Sequence, residues 1–194
     1  MVKKDVKQLT LEIIVIVCLF VAFIGLGFLF NRYKSSENKV YNLGVKFSDN
    51  RNVYLENTLP ITDKIGRELD GVNSSTGIHG FKEFSIENNY DKKVDYQIYL
   101  KVKNSCENMI DEDFIKLYLT DTNNNPLSGF ENNKLPSYSS ISSLNDKPGS
   151  KLLYTGSINK NSISKFRLRV WVSDLYSINR DKECFSFDIY VRSI

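Results

Sequence analysis

The stretch FKEFSIENNYDKKVDYQIYLKV, residues 81–102, decides the fold. Its second half alternates apolar and polar residues from Val94 to Val102 without a break. Successive side chains of a β-strand point to opposite faces, so this pattern predicts a strand with one buried face and one solvated face. Its first half has the same period from Phe84 to Asn88, and the polar residues 89–92 predict a turn between the two halves.

The same two-residue period recurs along the chain after residue 40. Further strands are predicted at Val40–Phe47, Val53–Glu56, Phe114–Thr120, Lys151–Ile158, Phe166–Val172 and Phe185–Val191, with a weakly patterned one at Ser137–Ile141. The abundance of Phe and Tyr, with 12 and 11 residues against four Pro, also favours strands. About seven to nine short strands with no amphipathic helix among them predict an all-β antiparallel sandwich of immunoglobulin-like or jelly-roll topology.

Residues between these strands carry weaker signals. The stretch 58–80 is rich in Gly, Asp, Asn and Ser and is interpreted as a long surface connection, with a short strand or turn at 59–65. Acidic residues 111–113 indicate a short helical turn before the next strand. Trp171 lies out of phase with the apolar side of its strand, and we expect it to pack under a loop, with a position in an interface as the alternative.

One segment before the strands is long and apolar. Leu11–Phe30, LEIIVIVCLFVAFIGLGFLF, contains a single charge, Glu12, at its edge. Twenty residues at about 1.5 Å rise give roughly 30 Å of helix, which matches the hydrocarbon core of a bilayer. The sequence therefore predicts one N-terminal transmembrane α-helix that contacts the lipid bilayer through residues 11–30.

We expect this helix to be retained as a signal anchor. The apolar run is longer than that of a signal peptide, and bulky aromatic residues stand where a peptidase needs small ones. Three basic residues lie close to the run on each side, so their count does not set the orientation. A short basic tail before a long apolar run is typical of a signal anchor, which predicts a single-pass cell-membrane protein with its C-terminal domain outside.

The predicted organisation has four parts. They are a basic tail (1–10), the transmembrane helix (11–30), a polar linker (31–39) and a β-sandwich ectodomain (40–194).

Two cysteines lie outside the apolar run, Cys106 and Cys184. In an exported domain they are candidates for a disulfide that joins two distant parts of the chain, and two independent thiols are the alternative. Two cysteines and the single His79 supply too few ligands for a zinc site. No metal or other cofactor is predicted.

The run Asp121–Asn125 has oxygen-bearing residues at alternate positions, as an EF-hand loop does at its start. Pro126 replaces the Gly that such a loop requires, and Asn132 replaces the closing Glu. An Asn-rich hairpin turn is therefore preferred to a calcium site.

No catalytic or nucleic-acid-binding pattern emerges. The acidic residues 111–113 are better explained as a solvated edge than as a glycosidase pair, and no nucleophile has a partner at recognisable spacing. The formal net charge is only +3 and no basic cluster is present, which argues against nucleic acid as a partner. We predict that the protein is not an enzyme.

The ectodomain resembles the camelysin-like biofilm-fibre family of Gram-positive bacteria. The similar stretches are Ile61–Gly66, Phe84–Asn88, Tyr96–Leu100, Gly156–Ile158 and Phe166–Val172. The resemblance implies an exported β-sandwich that can assemble into fibres. The sequence departs from it in two respects, because the anchor is expected to be retained and no metal-ligand cluster supports the protease activity once attached to camelysin.

These observations predict a structural, adhesive or matrix-assembly role through contacts with an unidentified protein partner or with further copies of the chain. Accessory subunit of a membrane complex is one alternative, supported by a stripe of small residues at Cys18, Ala22 and Gly25. A type IV pilin-like subunit is another, because Glu12 stands at the fifth position of a notional chain that begins at Gln8.

Overall fold

The computed structural model describes residues 43–71, 80–103, 107–178 and 182–194, together with Leu19 and Val21. The chain forms two compact units, Met1–Tyr41 and Asn42–Ile194.

In the first unit, Leu19 and Val21 are helical and exposed. The rest of the predicted tail (1–10), membrane span (11–30) and linker (31–39) lies outside the described residues. Among the residues that are described, no helix is both long and apolar enough to cross a membrane.

The second unit is built almost entirely of strands. Its described residues form β1 (Gly44–Phe47), β2 (Asn52–Glu56), α1 (Asp63–Arg67), β3 (Gly80–Asn88), β4 (Val94–Val102), β5 (Asn108–Met109), a 3₁₀ turn (Glu112–Phe114), β6 (Ile115–Asp121), β7 (Ser150–Ile158), β8 (Ser162–Val172) and β9 (Glu183–Ser193). The predicted strand at Ser137–Ile141 is wrong, because only Ser137 forms an isolated bridge, to Lys116. The predicted helical turn near residues 111–113 is confirmed, with the Asp111 carboxylate accepting from the Asp113 N–H.

The strands form two sheets. Sheet A has the order β1–β3–β8–β6 and sheet B has the order β2–β9–β4–β7, and all of these neighbours are antiparallel. The two-residue strand β5 lies parallel beside β9. The predicted all-β antiparallel class is confirmed at this level, and the arrangement is consistent with a β-sandwich.

The core lies between the two sheets. Tyr96 and Tyr154 of sheet B contact the ring of Phe166 in sheet A, with centroids 6.3 and 6.4 Å apart. Gly80 marks a close approach, since a Cβ atom there would lie 2.7 Å from Cγ1 of Val53. The predicted alternation in β4 is confirmed, because its apolar phase is buried through Leu100 while the opposite phase carries the exposed charged residues.

Consecutive strands lie in different sheets, with β5 as the exception. The turn after β3 shows how the chain crosses from one sheet to the other. Asn88 is fully buried, and its Nδ2 donates to the carbonyls of Lys92 at 2.8 Å and Ile158 at 3.2 Å. Its Oδ1 accepts from the Tyr90 N–H at 3.0 Å. The predicted turn at residues 89–92 is confirmed, and this one side chain fixes its path towards sheet B.

A second layer covers part of the outer face of sheet A. Thr62 caps the start of helix α1, with its hydroxyl oxygen accepting from the Ile65 N–H, and the helix packs directly on Trp171. Trp171 is fully buried, which confirms that it packs beneath the connection between β2 and β3. Helix α1 lies in the stretch that the sequence pattern indicates as a surface connection, because five residues form too short a pattern to show a helical period.

Gly66 is required where α1 meets Trp171. A Cβ atom at Gly66 would lie 2.2 Å from Cε2 of the indole. We expect Gly66→Ala to lower the free energy of unfolding by about 1–3 kcal/mol through overpacking, although alanine favours helices. Urea unfolding followed by the fluorescence of the single tryptophan measures the change. Gly71→Ala is the matched control, because its Cβ would meet Phe81 at an ordinary 3.8 Å; equal stability of both variants would contradict the prediction.

Candidate functional site

The sheet edges are the candidate interaction site, and two of the four are covered by the chain itself. Along β6, the segment 126–138 supplies backbone hydrogen bonds to the outer edge. The Leu127 N–H donates to the Leu119 carbonyl at 3.1 Å, and the Tyr138 N–H donates to the Ile115 carbonyl at 2.8 Å. This edge therefore has little left to offer another strand.

The outer edge of β7 is covered over its first part. The Leu144 N–H donates to the Ser150 carbonyl at 2.9 Å, and the Leu152 N–H donates to the Ser142 carbonyl at 2.8 Å. We call the covered edges of β6 and β7 the sealed flank. The irregular residues 122–149, which show little period in the sequence, form this cover.

The outer edges of β1 and β2 are not covered by the residues that the structure describes. In the part of the chain that the structure describes, no backbone segment pairs with them on the side away from β3 and β9. The two strands are linked by the corner 48–51, and β2 packs against β3, the neighbour of β1. We call these two edges together the open flank.

The register shows which backbone groups of the open flank point outwards. The Ser48 N–H donates to the Glu83 carbonyl, so alternate residues of β1, Val45 and Phe47, direct their N–H and C=O groups away from β3. The Asn57 N–H donates to the Glu183 carbonyl in the same way, which leaves Tyr54 and Glu56 of β2 facing outwards. No sequence pattern reports this parity, because it depends on which neighbouring strand pairs with each edge.

The open flank combines features that limit strand addition with one that favours a specific contact. Its strands are only four and five residues long. Lys46 is exposed and paired with Glu87 at 3.5 Å, whereas the aromatic ring of Tyr54 is about half exposed. Short strands and edge lysines protect against uncontrolled pairing, and an exposed tyrosine favours a specific contact.

Cys184 is disulfide-bonded and fully buried. Cys106, its predicted partner, lies outside the described residues, so the pairing stays a prediction. The chain just after Cys106 does approach Cys184, because Met109 pairs with it and the Ile110 N–H donates to its carbonyl at 3.0 Å.

The Asn-rich loop after β6 is organised by Asp121. Its carboxylate accepts from the backbone N–H groups of Asn123 at 2.8 Å and Asn125 at 2.9 Å, and from the Asn125 side chain. Burial raises the pKa of Asp121, but these hydrogen bonds outweigh it and hold the pKa below its ordinary value. Thr120 and Pro126 form a bridge across the loop, so the preferred hairpin turn is confirmed.

Among the described residues, no cluster of His, Cys, Asp and Glu could hold a metal.

Sequence reasoning missed a buried carboxylate on the outer face of sheet B. Asp188 is 3% exposed and lies 3.2 Å from Nζ of Lys103 and 3.5 Å from Nε of Arg51. Its position in the polar phase of β9 indicates solvent exposure when the strand is considered alone. It is buried by the two strands that pair with β9 there, β2 and β4, together with Arg51 in the corner before β2 and Lys103 after β4.

The disulfide prediction can be tested directly on the purified full chain. We expect a protease digest without reductant to contain a peptide that links Cys106 to Cys184, and the link to disappear after reduction. Reduction should also lower the free energy of unfolding by about 2–5 kcal/mol, the usual cost of removing a native disulfide from a small secreted domain. A linked peptide that contains Cys18 instead, identified by mass spectrometry, would contradict the pairing.

Comparison with known proteins adds no assignment. No protein-family model, curated protein or solved structure matches the chain. The resemblance to camelysin-like proteins therefore depends on the sequence stretches quoted above.

Proposed function

We propose that this protein is a membrane-anchored structural or adhesive subunit that joins a partner chain, or further copies of itself, through its open flank. The observation that carries the proposal is the asymmetry between the two flanks. Residues 126–144 cover the edge of β6 and the first part of the edge of β7, while no segment among the described residues pairs with the outward-facing groups of β1 and β2.

Strand addition is a common route of protein recognition. Each new backbone hydrogen bond contributes about 0.5–1.5 kcal/mol, and side chains beside the edge provide selectivity. On the open flank, Tyr54 and Glu56 alternate with the buried Val53 and Leu55. A partner strand beside β2 would meet one aromatic ring and one carboxylate.

The proposed location is the cell surface, with residues 11–30 as a single-pass anchor and the β-domain outside. The disulfide at Cys184 supports this location, because disulfides persist in exported proteins and are rare in a reducing cytoplasm. The apolar length of Leu11–Phe30 supports the anchor.

The finer topology is proposed to be of the jelly-roll kind. The pairs β2–β9, β3–β8 and β4–β7 are nested in sequence, as when a long hairpin is wrapped into two sheets. In the immunoglobulin-like alternative, some consecutive strands pair within one sheet. The alternation of consecutive strands between the sheets therefore favours the jelly-roll.

Protease treatment of intact cells tests the proposed location. We expect peptides from residues 41–194 to be released and Met1–Lys7 to stay protected, because the anchor would hold only its short tail inside. Mass spectrometry of both fractions identifies the fragments. Protection of the whole chain would contradict the surface location and leave the accessory subunit of a membrane complex as the function to test.

Photo-crosslinking on intact cells tests the open flank. A photo-reactive amino acid at Tyr54 should capture another chain, whereas the same group at the exposed Ser128 of the sealed flank should not. Glu56→Pro removes an outward N–H of β2 without removing a bond to β9, and we expect about tenfold less adduct from the loss of one or two hydrogen bonds. Equal capture at both positions, or adducts unchanged by Glu56→Pro in a folded protein, would contradict the proposal.

A further inference from the structure

A charged groove lies on the outer face of sheet A. Its volume is about 650 Å³, and its lining includes Arg67, Phe81, Glu83, Arg167 and Arg169. Small-molecule sites in proteins have about 300–1,000 Å³. The groove is therefore large enough for a ligand the size of one or two sugar units.

Arg169 is the most unusual residue of this lining, because it is only 4% exposed. Its Nε donates to the Leu69 carbonyl at 2.6 Å, Nη1 donates to the Thr120 hydroxyl at 3.0 Å, and Nη2 donates to Oδ1 of Asn124 at 2.7 Å. All three acceptors are neutral. A guanidinium has five N–H donors, so these bonds fix its orientation without using all of them.

The three arginines of the groove differ in how their charge is balanced. Nε of Arg167 lies 2.6 Å from the carboxylate of Glu83. Arg67 donates to the carbonyls of Asn132 and Asn133, which carry no formal charge. Within the described ranges, no carboxylate oxygen lies within 4.0 Å of Arg67 or Arg169.

The groups around Arg169 do not fully compensate the cost of burying its positive charge. Burial lowers the pKa of Arg169 and the neighbouring Arg167 lowers it further, while Tyr118, Asp70 and Glu83 raise it without cancelling the decrease. The rings of Phe81 and Tyr118 lie 5.7 and 5.8 Å from the guanidinium carbon and give partial compensation. The cation remains protonated at neutral pH but is less stable than in water.

The groove also limits the kind of ligand that would restore the balance. Carboxylates of Glu68, Asp70 and Glu83 line it beside the arginines, and they would repel a polyanion. Phe81 adds an apolar surface, on which a sugar ring or short carbon chain can pack. A ligand with one oxyanion and an otherwise neutral, polar body fits these constraints.

We infer that the groove binds a single oxyanion, the carboxylate of an acidic sugar or the phosphate of a sugar or polyol, between Arg167 and Arg169. Guanidinium groups bind both kinds of oxyanion through paired hydrogen bonds. Arg169 supplies a charge that Leu69, Thr120 and Asn124 hold in place before the ligand arrives. This site does not depend on strand addition at the open flank.

Binding can be measured on the full chain in detergent by titration with glucuronate and with glycerol 3-phosphate, at ionic strength held constant with sodium chloride. Calorimetry gives the affinity, and the unfolding midpoint from Trp171 fluorescence gives the linked stabilisation. We expect saturable binding and a raised midpoint for at least one of the two ligands, and neither effect for glucose. Binding of glucuronate alone identifies a carboxylate ligand, binding of glycerol 3-phosphate alone identifies a phosphate ligand, and binding of both supports a general oxyanion site.

Substitutions show whether binding occurs in the groove. Arg169→Gln is expected to abolish binding, but its burial makes unfolding a risk. Arg167→Gln is therefore the main variant, because Arg167 is partly exposed, and we expect about tenfold weaker binding with the fold intact. Arg192→Gln is the matched control, since that arginine is paired with Asp146 beside the other sheet. No saturable binding of either ligand, or an affinity that Arg167→Gln leaves unchanged, would overturn the inference.

Discussion

Burial of strand β8 on both of its faces is the constraint on which the rest of the structure depends. Phe166, Leu168 and Val170 face the other sheet and are buried, as expected for a sandwich strand. On the opposite face, Arg169 is also buried and Trp171 is fully buried. A strand of this kind needs a second layer outside the sheet. Without that layer, the apolar surface of Trp171 on the outer face would be exposed to water. Helix α1 and the connections that follow β2 and β6 supply that layer.

The same connections decide which edges remain available. Residues 122–149 hydrogen-bond to β6 and to the first part of β7, and Asn124 within this stretch accepts hydrogen bonds from Arg169 and Arg167. One irregular stretch thus covers parts of two edges and orders the groove. The corner 48–51 is too short to fold back on β1 or β2, and no other described segment pairs with their outward N–H and C=O groups.

Much of the fold follows from the period of the sequence, and the site does not. Alternation from Val94 to Val102 predicts the strand and its buried face, because the side chains of a strand alternate strictly. The same alternation contains no information about which strands pair. The sequence therefore did not predict that consecutive strands lie in different sheets, and it did not predict the open flank. Arg169 was missed for a related reason. It lies in the polar phase of β8, and it is buried by contacts with Leu69 and Asn124, which lie in connections distant from it in the sequence.

The Arg169 network is difficult to explain as a device for stability alone. Burying a guanidinium costs several kcal/mol even after relaxation, and an apolar residue of similar volume often serves a core equally well or better. Among the described residues, no carboxylate within 4.0 Å of Arg169 offsets this cost, whereas Lys103 and Arg51 pair with the buried carboxylate of Asp188 in the same domain. The buried charge of Asp188 is therefore balanced by opposite charges. The buried charge of Arg169 is held by neutral acceptors beside an open groove. Such a difference is expected when the second charge is kept for an anion that comes from outside the chain.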